Sequence, residues 1–243
     1  MSNVIIPVLV PITVAVVGAL VTVVYGPGLK ARRDRRRQAE DLEARYRDEL
    51  MTSAFALQAR LYGIAVENLL GRSDDPSGVP AEPEEQGYVY TSTLWMIGRY
   101  LAWVELLRRD RYFLALGTTH RGRELLAAVA AVELAFADGR LDPHLRLYRA
   151  HQSAIAELMI VERESRGEVR SDSLGYATFT SKLEDENDLV FRRWFATLSR
   201  GLQELAPSPG TSQRVTELQH ALLDLVGFLD EAGTASSYPR APK

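Results

Sequence analysis

Between Val4 and Tyr25 the chain runs for 22 residues without a charged side chain, most of them valine, isoleucine, leucine or alanine. As a helix rising about 1.5 Å per residue, the run reaches about 33 Å, and a bilayer's hydrocarbon core is about 30 Å thick. It is therefore expected to cross a membrane. A cleaved signal peptide needs a basic n-region, a shorter apolar stretch and a small-residue cleavage site, whereas this chain opens Met1-Ser2-Asn3 and leaves the run through Tyr25-Gly26-Pro27-Gly28. A core helix of a globular protein is rarely so long and so uniformly apolar.

Lys30, Arg32, Arg33, Arg35, Arg36 and Arg37 follow at once, with Asp34 the one acid among them. Basic residues beside a span stay in the cytoplasm, which predicts a single-pass plasma-membrane protein with its N-terminus outside and everything after the collar inside. These six side chains are the candidate lipid-headgroup residues, each worth about 1 kcal/mol near an anionic leaflet. They are equally readable as a topology signal alone. Within the run, Pro11 lacks the amide that would bond back to residue 7, so a local kink is expected there. Ala15, Gly18, Ala19 and Thr22 give a small-xxx-small spacing through which two such helices can pack into a homo-oligomer.

Gly26-Pro27-Gly28 is expected to interrupt the helix and act as a joint. The chain then divides into an anchor with its joint (1–29), a basic segment (30–41), a helical cytoplasmic domain (42–232) and a disordered tail (233–243). With 46% hydrophobic and 25% charged residues, the sequence can build a substantial core. The net charge of −3 hides a strongly acidic body behind one basic collar, which argues against nucleic acid as a partner. No cysteine is present, so disulfides, thiolate nucleophiles and cysteine-ligated metals are excluded. Only Lys30, Lys182 and Lys243 among the 29 basic residues are lysines, the signature of a GC-rich, bacterial genome.

Past the collar the fold class is all-α, a multi-helix bundle. Leu42, Tyr46, Leu50, Ala54, Leu57, Leu61 and Ala65 recur at steps of three or four within a helix expected over 31–70. Residues 71–87, rich in glycine, proline and acids, read as a solvated, mobile loop. A helix over 88–116 is apolar on nearly every face, since only Gly98, Arg99 and Glu105 break the pattern between Leu94 and Leu107, so it should be the central helix. Thr118 or Thr119 caps the next helix, which Gly139 stops. Further helices are expected up to Glu162, over 174–183 and 189–205, and from Ser212 to Glu231, with no strand anywhere.

Four polar residues on apolar helical faces are the catalytic candidates: Arg99, Glu105, His151 and Glu157. Burial and a neighbouring charge would tune such groups for acid–base work, but a satisfied polar network that fixes helix packing is the stronger reading. Glu105 has Arg108 and Arg109 one turn on, whereas Arg99 needs a partner from another helix. His220 and Asp224 share a helix face but lack a third ligand, and Glu184 to Asp188 lacks the glycine and final glutamate of a calcium loop. No metal site or cofactor is expected. Neither a phosphate-binding Gly-Lys-Ser/Thr loop, nor a zinc-binding His pair, nor a nucleophile elbow occurs.

The segment Tyr90-Thr-Ser-Thr-Leu-Trp-Met-Ile-Gly-Arg-Tyr-Leu-Ala-Trp-Val-Glu-Leu-Leu-Arg-Arg resembles one found in a family of bacterial single-pass membrane-anchored helical proteins, and the likeness extends to Leu147–Ile160 and the final helix. The resemblance implies an anchored helical architecture and attaches no activity to it. The leading functional expectation is a membrane-tethered interaction or scaffold module that meets the bilayer, a cytosolic protein or a second copy of itself. The alternative is a membrane-associated enzyme with an interhelical polar pocket. An oligomeric pore or membrane effector is disfavoured because the span has no polar face to line a channel.

Overall fold

The computed structural model describes residues 6–70, 83–110, 112–165, 168–230, 239–240 and 242, with side chains from Ala31 onward except at 83–86, 165 and 168. Among the described residues there are eight α-helices and one two-stranded hairpin. The first helix, α1, runs unbroken over Ile6–Val66, 61 residues. The interruption expected at Gly26-Pro27-Gly28 is thus corrected. A proline inside a helix costs about 3 kcal/mol and each glycine about 1 kcal/mol, but long regular helix on both sides gains a bond for every residue fixed and carries the three through.

Among the described residues no helix is long and apolar enough to cross a membrane. The side chains of the uncharged run, its small-residue stripe at Ala15, Gly18, Ala19 and Thr22, and Lys30 lie outside those residues, so the expected span draws no support from the fold.

The stripe of α1 that follows the basic collar is the spine of the core. Ala39, Leu42, Leu50, Ala54, Leu57, Leu61 and Ile64 are buried, with Tyr46 and Ala65 half-buried beside them. Burying each leucine contributes about 1.5–3 kcal/mol, which exceeds what helix propensity alone supplies. Against this stripe pack α2, Pro83–Arg109, and α8, Gln213–Leu229. Beyond α8 lies α4, His120–Ala137, and beyond α2 lies α5, Arg149–Met159. As its sequence implies, α2 is buried almost all round through Ile97, Tyr100, Leu101, Ala102, Val104 and Leu107. Gly98 permits this, because a Cβ there would stand 2.9 Å from Met159 Cγ on α5.

Two boundaries differ from expectation. Residues 83–87 belong to α2 rather than to a loop, since proline is tolerated in a first turn, while 71–82 lie outside the described residues. The helix expected to reach residue 116 stops at Arg109, and a separate four-residue helix, α3, covers Phe113–Leu116. Asp110 makes the break: its carboxylate accepts the Tyr112 amide at 3.0 Å and holds Arg45 of α1 at 2.9 Å.

The absence of strands is corrected too. β1, Ile160–Ser165, and β2, Glu168–Ser173, pair antiparallel from Ile160↔Ser173 to Ser165↔Glu168, leaving two residues between them. Glu162, Arg163, Glu164, Val169 and Arg170 are exposed, so neither face had to alternate apolar with polar, and the period-two signal is missing for that reason. The hairpin is held by the ladder, an Arg163–Asp172 ion pair at 3.2 Å, and the Trp95 indole N–H donated to the Leu174 carbonyl at 2.8 Å.

After it come α6, Tyr176–Glu184, and α7, Leu189–Leu205, joined by packed rings of Phe179, Phe191 and Phe195. The acidic turn between them is ordinary capping: Asp188 accepts the Phe191 amide at 3.1 Å and pairs with Lys182 at 3.2 Å. Of the expected tail, 233–238, 241 and 243 lie outside the described residues, while the Pro239 carbonyl accepts from Gln219 and Arg240 pairs with Asp224.

Candidate functional site

Where α1 leaves the collar, Arg32, Arg33, Arg35, Arg36 and Arg37 are all exposed. Helical spacing sorts them: Arg32, Arg35 and Arg36, at i, i+3 and i+4, share one face, and Arg33 and Arg37 turn to another. The first face looks onto the start of α4. Together with Glu40, Glu43, Thr118, Thr119, His120 and Arg121 it lines a cleft of about 770 Å3.

Local chemistry fixes the α4 wall. The Thr119 hydroxyl accepts the Gly122 amide at 2.9 Å and is the N-cap, one of the two threonines expected from sequence. Gly122 is required there, since a Cβ would lie 2.1 Å from the Leu116 carbonyl oxygen. Upstream, buried Ala115 and Leu116 of α3 dock on α1, and Asp110 ties the same connection to Arg45 and, at 3.4 Å, to the Tyr46 hydroxyl. The Arg121 guanidinium lies 5.2 Å from the Phe228 ring centroid and hydrogen-bonds Glu43.

Both carboxylates of the cleft are engaged. Glu40 accepts from Arg36 at 2.9 Å, and buried Glu43 is shared by Arg121 and Arg47, the latter at 3.3 Å. His120 pairs outward with Glu124 at 3.1 Å. Arg32 and Arg35 have no ion-pair partner among the described residues. A cleft whose acids are already neutralised and whose remaining arginines point into it is suited to an anion carrying several acceptor oxygens.

A second cavity, about 740 Å3, lies between α4 and α8. Its floor is small and apolar, with Ala128, Ala131, Ala135 and Ala221, and its rim holds Asp138, Arg140, His220, Asp224 and Arg240. Arg140 donates to both carboxylate oxygens of Asp138 and holds it well below the usual range, at about 2. His220 and Asp224 share this rim, but Asp224 is taken by Arg240, and no three potential metal ligands cluster among the described residues.

The four polar candidates from sequence do not gather in either cavity. Arg99 finds its partner on α1, Glu49 at 3.2 Å, and lies 5.5 Å from the Trp95 ring centroid. Glu105 bonds Arg109 at 2.9 Å, and Arg109 reaches Glu157 of α5 at 3.2 Å, so these two acids are brought together through one guanidinium. His151 stands apart, edge-on between the rings of Tyr148 and Trp194.

Sequence reasoning passed over Arg214, the largest fully buried side chain. Its guanidinium donates to the carbonyls of Asp142 at 2.8 Å, Ala135 at 2.6 Å, Phe136 at 2.9 Å, Asp138 at 2.6 Å and Leu141 at 3.4 Å. Burial pushes its pKa down from the ordinary arginine value. The Asp142 carboxylate accepts the Arg214 amide and the Ser212 hydroxyl, so this one network locks the α4–α5 connection to the start of α8. The signal was available: Arg214 lies four residues before Leu218 and eight before Leu222, on the apolar stripe of its helix.

No protein-family model matches the chain, and neither a curated protein nor a solved structure matches it.

Proposed function

We propose that this chain is a membrane-tethered helical interaction module, anchored through residues 3–25 with its domain on the cytoplasmic side, rather than a catalyst. The observation that carries the reading is the uncharged run of 22 residues followed at once by an arginine collar on the same continuous helix as the core. Lys30, Arg32, Arg33, Arg35, Arg36 and Arg37 then lie at the headgroups and hold the domain close to the surface, where tethering raises the effective concentration of any partner. The partner is a cytosolic protein or a second copy of the chain. That Arg99, Glu105 and Glu157 are each paired supports packing roles for them.

Alkaline-carbonate fractionation of cells expressing the full chain tests the tether, which is expected to stay in the membrane pellet. A reporter fused after Lys243 tests the orientation, with activity expected only for a cytoplasmic reporter. Crosslinking and affinity purification from native membranes should return a second copy or a cytosolic protein. Monomer alone, without partners, would remove the interaction reading.

A further inference from the structure

We infer that the cleft between the Arg32–Arg35–Arg36 face of α1 and the start of α4 holds the phosphate of an anionic phospholipid headgroup. The inference rests on the membrane-tether reading above and narrows it from a diffuse basic collar to a site with two walls.

Position is the first argument. Because α1 is continuous, Arg32 lies about 10 Å and Arg36 about 16 Å of helical rise beyond Tyr25, the end of the uncharged run. The polar layer outside each face of the hydrocarbon is about 5–8 Å deep. Side chains on a helix lean toward its N-terminus, here toward the membrane, and arginine stems extend that reach. The Arg32 and Arg35 end of the cleft is therefore within side-chain reach of the headgroups.

Charge and shape supply the rest. Arg32, Arg35, Arg36 and Arg121 line the cleft against Glu40 and Glu43, and both acids are already held by arginines. Arg32 and Arg35 offer planar, multiply donating groups that match phosphate oxygens. A volume of about 770 Å3 suits a headgroup rather than an extended polyanion, and the acidic body of the domain disfavours nucleic acid. Arg121, 84 positions beyond Arg37 in sequence, is positioned by Glu43 and Phe228 to close the site from the other side.

The test uses the full chain reconstituted in phosphatidylcholine vesicles containing phosphatidylglycerol, then solubilised gently and read by native mass spectrometry for retained lipid. Wild type is expected to retain phosphatidylglycerol over phosphatidylcholine. The Arg32→Gln/Arg35→Gln pair should lower that retention at least about fivefold, whereas Arg33→Gln/Arg37→Gln, which removes the same charge from the other face, should change it less than about twofold. Arg121→Gln should lower it about fivefold, and Arg121→Lys, which keeps the charge beside Glu43, should lower it less. Equal losses from the two collar pairs with none from Arg121→Gln would overturn the cleft and leave a diffuse patch. Binding of inorganic phosphate by the solubilised chain, with phosphatidylglycerol retained no better than phosphatidylcholine, would overturn a lipid as the occupant. Carbonate extraction of the same preparations judges the tether separately, so release from the membrane there would remove the underlying reading instead.

Discussion

The guanidinium of Arg214 meets five backbone carbonyls, whereas those of Arg32, Arg33, Arg35 and Arg37 are exposed and have no ion-pair partner among the described residues. One side chain type thus plays two roles that burial separates. Buried, its desolvation is offset only while every donor is used, so Arg214 belongs to the fold. Exposed on a helix whose core stripe lies elsewhere, the collar arginines contribute little to the fold and remain available to a ligand.

Substitutions should separate the two. Arg214→Met takes its donors away from five carbonyls in the last turn of α4 and the α4–α5 connection and is expected to cost about 3–5 kcal/mol, read as a loss of urea midpoint at unchanged slope. If the midpoint moved by less than the collar variants move it, the clamp would lose its structural meaning. Gly122→Ala, which drives a Cβ into the Leu116 carbonyl, should cost about 2 kcal/mol by the same measurement while leaving membrane partition unchanged.

Asp138 gives a smaller effect with a defined sign. Its folded carboxyl titrates at about 2 against an ordinary value of 3.8, so its stabilisation is present above pH 3.8 and is lost as the pH falls through about 2. Asp138→Asn should flatten the melting temperature across that window, and a variant as steep as wild type would contradict the Arg140 pairing. Arg32→Gln/Arg35→Gln should leave stability within about 0.5 kcal/mol of wild type. A larger loss would show that the collar serves the fold after all.

What was legible in the sequence was whatever local pattern alone decides. The Leu42–Leu61 stripe, the buried α2, a threonine cap at 118 or 119 and the start of the last helix at Ser212 follow from spacing and cap chemistry within a few residues. The end of α2 was not legible, because Asp110 turns the chain with the help of Arg45 and Tyr46 from another helix. The hairpin escaped because its faces are too exposed to be patterned. At the candidate site the division is the same: the basic cluster between Lys30 and Arg37 announced one wall, and nothing near Arg121 announces that it stands opposite.

The unbroken α1 couples two things usually set separately, the direction the arginine collar faces and the packing of a core some residues away. Between Arg37 and Leu42 no loop absorbs a change in residue count. One residue added there would swing the collar by about 100° and raise it by about 1.5 Å relative to the core stripe, turning the Arg32–Arg35–Arg36 face away from α4. Four added residues would restore the facing to within about 40° but lift it a full turn, about 6 Å. The length of this short stretch is thus a phase setting, and insertions just after Arg37, ahead of the buried Ala39, should cost lipid capture with the period of the helix while the core below stays intact.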